Sequence, residues 1–175
     1  SGTLPNGTPV VVNSDGTVSV AAVTSVSQSV GTPAVFESAA INGLRSAYDS
    51  NSNRVVITYK DLGNSNYGTC VVGTLNPANN SVSFGTPVVF ESHTVSYDNS
   101  VVFDSNSNKV VVTYISSTTG KARIGTVSGT SISWGTEVEF EDSETRNTTC
   151  TFDSLNNKIG VFFYGPSSAS FIVGT

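Results

Sequence analysis

The chain has 175 residues and a net charge of −5, and only 12% of its residues are charged. Its basic residues are scattered rather than gathered into a stripe that could neutralise phosphates, so a nucleic-acid partner is not expected. No apolar run nears the roughly 18 residues that a membrane helix needs, which argues against membrane insertion.

Ser, Thr, Asn, Gly and Val predominate, a bias toward β-branched and turn-forming side chains and away from helix formers. An all-β fold follows. A chain of this size hides roughly two-thirds of its unfolded surface, so one domain over residues 1–175 is the default. It contains no Met, even at position 1, which fits either a mature product after removal of a leader or a chain made without one. With the low charge and many hydroxyls, this points to an extracellular location or to a virion or cell surface.

An octapeptide recurs as GTPAVFES from Gly31, GTPVVFES from Gly85 and GTEVEFED from Gly135, at spacings of 54 and 50 residues. A repeat of about fifty residues is therefore read first. Taken in order, residues 1–37 form an incomplete N-terminal sheet, with strands over 9–12, 18–22 and 28–36. The stretch 18–36 matches 122–140 without a gap. Residues 38–92 are the first full repeat and contain YDSNSNRVVITY from Tyr48. Residues 93–142 are the second, with FDSNSNKVVVTY from Phe103 and strands over 100–103, 109–114, 122–127 and 131–140. Residues 143–175 are a third, incomplete repeat with FDSLNNKIGVFF from Phe152 and strands over 149–152, 158–164 and 169–173. Four short antiparallel strands per period are the pattern of propeller blades, and an open stack of small sheets leaves the same pattern.

The chain thus reads as about three and a half repeats whose end sheets lack different strands. An unfilled edge exposes unpaired N–H and C=O groups and templates strand addition. The ends can close on themselves into a small ring, pair with another copy, or be completed by residues beyond 175. Apolar alternation at Val10, Val12, Val18 and Val20 suits an exchanged strand, and Phe171 and Val173 lie in the last strand that would receive it.

Few residues suggest chemistry. Asp49, Asn51 and Asn53 place oxygens at alternate positions as a calcium loop does, but the glycine and closing Glu of such a loop are missing, so a turn rich in Asp and Asn is the better reading. Glu37, Glu91 and Glu141 recur at one slot, where equivalent surroundings argue against an acid and base pair, and each is read as a solvated edge residue. The only His, His93, has no partner at a recognisable spacing. No catalytic residue, metal ligand or cofactor site is assigned, and no enzymatic activity is expected. Trp134, Phe84, Tyr67 and Tyr97 could present aromatic faces to a sugar, although core is the commoner fate of a lone Trp. Asn6, Asn79 and Asn147 begin N-glycosylation sequons. Cys70 and Cys150 are either a bridge or two buried thiols.

The pattern FDSNSNKVVVTY followed by GTVSGTSISWGT resembles the propeller-type repeats of phage tail-fibre proteins and secreted bacterial surface proteins. The likeness covers nearly the whole chain and carries no catalytic motif. It implies a structural or adhesive role outside the cell. The expected partners are other copies of the chain in a head-to-tail homopolymer, or surface glycans bound by a carbohydrate-binding module.

Overall fold

The structure, a computed structural model, describes residues 7, 9–21 and 30–174, with the backbone alone at 97. They fall into two compact units, Ser1–Val30 and Gly31–Thr175, where the sequence suggests one domain. All regular elements among the described residues are β-strands, and every strand pairing is antiparallel.

In the first unit, β1 (Val10–Val12) pairs with β2 (Val18–Val20), Val10 opposite Val20 and Val12 opposite Val18. The connecting turn is held by Asp15, whose Oδ1 accepts the Thr17 N–H at 2.9 Å.

The second unit begins with β3 (Ile41–Asp49), β4 (Arg54–Asp61), β5 (Tyr67–Asn76) and β6 (Ser81–Phe84). The long strand β7 (Val88–Asp104) leads to β8 (Lys109–Ser116), β9 (Thr119–Ser128), β10 (Ser131–Trp134) and β11 (Val138–Glu141). Together these form a nine-stranded sheet. A separate three-stranded sheet holds β12 (Arg146–Asp153), β13 (Lys158–Tyr164) and β14 (Ala169–Gly174).

β7 divides the larger sheet. Its start, around Val88 and Glu91, pairs with β5, and its end, Asn99 to Asp104, pairs with β8. The two halves face one another across a core of Val56, Cys70 and Val72 on one side and Val101, Val110, Val112 and Tyr114 on the other. We call them the first and second layers. The three-stranded sheet is the third layer, packed on the second through Val111 against Cys150, Ile159, Val161 and Phe163. Each of the buried Val, Ile and Phe side chains among these contributes about 1.5–3 kcal/mol. β8 is therefore covered on both faces, which is why its sequence KVVVTYIS is a run of apolar and β-branched residues rather than an alternation.

The repeated DSNSN and DSLNN stretches are turns. Asp49 Oδ1 accepts the N–H groups of Asn51 and Ser52 at 2.9 and 3.0 Å, and Asp104 and Asp153 do the same two and three residues on. Asn53, Asn108 and Asn157 close them at φ of 58°, 56° and 55°, a conformation Asn tolerates. The carboxylates face their own backbone, which is what the turn reading requires.

Two expectations need correction. The fourth strand of each full repeat is broken over 85–87 and 135–137, which separate β6 and β10 from β7 and β11; Gly85 and Gly135 still donate to Val72 O and Ile124 O at 2.9 and 2.8 Å before the chain leaves the ladder. The expected strand over 28–36 is not seen over 30–36, which carry no ladder bond, and 22–29 lie outside the described residues. Cys70 and Cys150 are free thiols in separate cores; burial pushes Cys70 up to about 12 and raises Cys150 as well.

Candidate assembly surface

β5, β9 and β14 are three copies of one strand, aligned through Gly73, Gly125 and Gly174, each of which is followed by Thr. Their surroundings differ. β5 is flanked on its far side by β6 and the start of β7, and β9 by β10 and β11, whereas β14 pairs with β13 alone among the described residues. Cys70 and Val72 on β5 are 0% and 1% exposed, while their counterparts Phe171 and Val173 on β14 are 53% and 57% exposed.

That exposure extends across the outer face of the third layer. Phe162 and Tyr164 on β13 stand beside Phe171, the rings of Phe162 and Phe171 having centroids 4.4 Å apart. In the second layer the slot of Phe162 is held by the fully buried Thr113. A hollow of about 340 Å³ runs over this face, bordered by Asn147, Thr149, Tyr164 and Ala169. Behind the sheet a cleft of about 430 Å³ opens between the second and third layers, lined by Ile124, Val138, Phe140 and Ile172. Adjacent exposed aromatics of this kind mark an interaction surface more often than an accident of the fold.

A recurrent aromatic contact ties the layers together. Phe90 packs on Tyr114 and Trp134 with centroids 5.1 and 5.7 Å away, and Phe36 packs on Tyr59 and Phe84 at 5.5 and 5.6 Å. Phe140 meets Phe163 at 5.4 Å. Trp134 thus packs against the core and Phe84 against Phe36, and both, like Tyr67, are half-buried.

The remaining candidates are dispersed. Val10, Val12, Val18 and Val20 are exposed but paired with one another in the β1–β2 hairpin. Phe171 and Val173 lie on the open outer face. Asn79 is exposed in the β5–β6 turn, its Oδ1 accepting the Ser81 N–H at 3.2 Å, and Asn147 sits in β12 at φ 49° with its amide 3.1 Å from the Asp98 carboxylate. Asn6 lies outside the described residues, as does the side chain of Tyr97.

The repeated glutamates do not share one environment. Glu91 is 2% exposed, so the reading of three solvated edge residues fails there. What they share is local: Oε1 of Glu37, Glu91 and Glu141 accepts the N–H two residues on, of Ala39, His93 and Ser143 respectively. His93 Nδ1 lies 2.7 Å from Glu91.

A polar cluster missed in the sequence surrounds Glu137. Lys121 Nζ donates to it at 2.7 Å and Tyr114 Oη at 2.9 Å, with Arg123 near by. Burial pushes the Glu137 carboxyl up, but the hydrogen bonds from Lys121 and Tyr114 outweigh it and hold it at about 2. Burial raises the Tyr114 hydroxyl. The signal for this cluster was Glu137 itself, which replaces the Pro33 and Pro87 of the other copies. The signal for the open face was Phe162 in a slot held elsewhere by Thr58 and Thr113.

Compared with known proteins, the chain matches no family model and no curated protein sequence.

Proposed function

We propose that the chain is a structural subunit of an extracellular fibre or filament, assembling head to tail by β-strand complementation between copies. The observation that carries this reading is β14, which pairs with β13 alone among the described residues and bears exposed Phe171 and Val173, whereas both earlier copies of the same strand are flanked; on β5 the counterparts Cys70 and Val72 are buried, and on β9 Ala122 is half-buried and Ile124 is 45% exposed. In this reading the layers are blade-like four-stranded units of the propeller type, and a strand from a second copy flanks β14 of the third. Contacts between unlike surfaces propagate into filaments unless a ring closes. The role is structural, and no reaction is assigned. Light scattering with negative-stain imaging of the same sample tests it: filaments or rings are expected, reduced to single particles by F162S/F171S, and an 18 kDa monomer at all concentrations would refute it.

A second reading has a specific support. Phe162, Tyr164 and Phe171 present rings beside Asn147 and Thr149 at the 340 Å³ hollow, a combination suited to surface glycans. A glycan array would then give hits with the native chain that F171A loses while its particle mass stays unchanged.

A further inference from the structure

The first and second layers are joined by one contact motif, and both halves of that motif occur again, unjoined, at the two ends of the stack. In the joint, Gly85 sits so close to the β9–β10 turn that a Cβ on it would lie 1.9 Å from Thr130 O. Five residues on, Phe90 docks on Tyr114 and Trp134. The same stretch pairs along β5, with Glu91 opposite Gly68, Val89 opposite Thr69 and Val88 opposite Cys70. β11 repeats that register on β9, with Glu141 opposite Gly120 and Glu139 opposite Lys121.

Residues 31–37 make the first two of these contacts and lack the third. A Cβ on Gly31 would lie 1.8 Å from Asn80 O, and Phe36 docks on Tyr59 and Phe84. The segment is thus seated on the first layer as 85–91 is seated on the second, but no strand pairs with it among the described residues. β14 is the converse, a strand with no flanking partner among the described residues.

We propose that residues 30–37 of one copy flank β14 of a second copy, placing Glu37 opposite Ala169, Val35 opposite Ser170 and Ala34 opposite Phe171. This rests on the assembly reading above and names its joint. The register is the one that β7 makes on β5 and β11 makes on β9. The faces match as well. Val110 and Val112, which the first layer covers, are 1% and 0% exposed, whereas their first-layer counterparts Val55 and Ile57 are half-buried and Tyr48 beside them is 51% exposed. The outer face of the third layer offers that surface Phe162 and Phe171, continuing the stack already built twice within the chain. Val30 is 100% exposed and stands before Gly31 as Trp134 stands before Gly135. It enters the 430 Å³ cleft beside Phe140, as Trp134 lies beside Phe90.

One position departs from the template. A Cβ on Gly68 or Gly120 would lie 2.3 Å from the Phe90 or Phe140 ring, and β14 has Ala169 in that place. Phe36 must shift to pass it, so the joint between copies is looser than those within the chain.

The competing partner for residues 31–37 is the chain's own β2. By the ungapped match of 18–36 to 122–140, Thr17 would then lie opposite Val35. Oxidising the full chain carrying V35C/S170C distinguishes the two, since Cys70 and Cys150 are buried and opposed Cβ atoms across a ladder are about 4.5–5.5 Å apart. The proposal expects a ladder of disulfide-linked multimers on non-reducing gels, absent from V35C or S170C alone, lengthened several-fold by A169G and suppressed by A169L. Filaments without that ladder, or an intrachain link in T17C/V35C, would overturn this joint and leave head-to-tail assembly standing. A monomer at every concentration would overturn both.

Discussion

The second and third layers are built from nearly the same sequence and end in opposite situations. FDSNSNKVVVTY and FDSLNNKIGVFF each make an Asp-capped turn followed by a strand, yet β8 is buried on both faces and β13 on one. Thr113, walled in, contacts the Thr148 hydroxyl at 3.3 Å; its counterpart Phe162 stands 45% exposed. One slot of the repeat is thus core in the second layer, where it holds Thr, and surface in the third, where it holds Phe. The contrast also separates two kinds of residue: those that hold a layer in the chain and those free to hold a neighbour.

The largest effect should come from cutting the closed joint. Phe90 is 2% exposed and touches Tyr114, Trp134 and Gly68, so F90A should cost about 3–5 kcal/mol in denaturant unfolding. The comparison would fail if F171A, on the open face, cost the isolated chain as much.

Next is the polar cluster around Glu137. Its carboxyl is held below its ordinary value, so its contribution to stability is complete above about pH 4.5 and is lost as the pH falls toward about 2. Denaturation midpoints over that range should fall more for the native chain than for E137Q, and E137Q should cost about 1–3 kcal/mol at neutral pH. Parallel pH profiles would show that Glu137 does not carry this dependence.

Smaller still is the turn. D104A removes the acceptor of two N–H bonds and the Ser107 hydroxyl bond at 2.5 Å, an expected loss of about 1 kcal/mol. D153A in the third layer should cost the isolated chain a similar amount, because both turns are local and neither depends on the stack. Unequal losses would mean that layer position reaches even the turns.

The smallest effect on chain stability belongs to the open face. F171A should change unfolding of the dispersed chain by no more than about 0.5 kcal/mol while lowering the particle mass seen by light scattering. A large stability loss with unchanged mass would instead make Phe171 core.

Much of this architecture was legible in the sequence because it is local. The period follows from the recurring GT octapeptide, the strands from β-branched runs, and the turns from Asp followed by an Asn able to adopt positive φ. The strand that carries Phe171 and Val173 was legible in the same way, from its alternation. Other features required the fold. Alternation states that a strand has two faces but not which of them a neighbour covers, so Phe162 in the slot of Thr58 and Thr113 marks a difference whose meaning appears only when the layers are stacked. Glu91 was misread because its burial comes from the bend of β7 between two layers, and the Glu137 cluster gathers residues from β8 and β9 and from the bend before β11. The partnering of residues 31–37 depends on long-range seating, through Gly31 on Asn80 and Phe36 on Tyr59. Local sequence thus determined strands and turns through short-range sterics and hydrogen bonding, while tertiary packing decided which apolar surfaces were covered and which remained open.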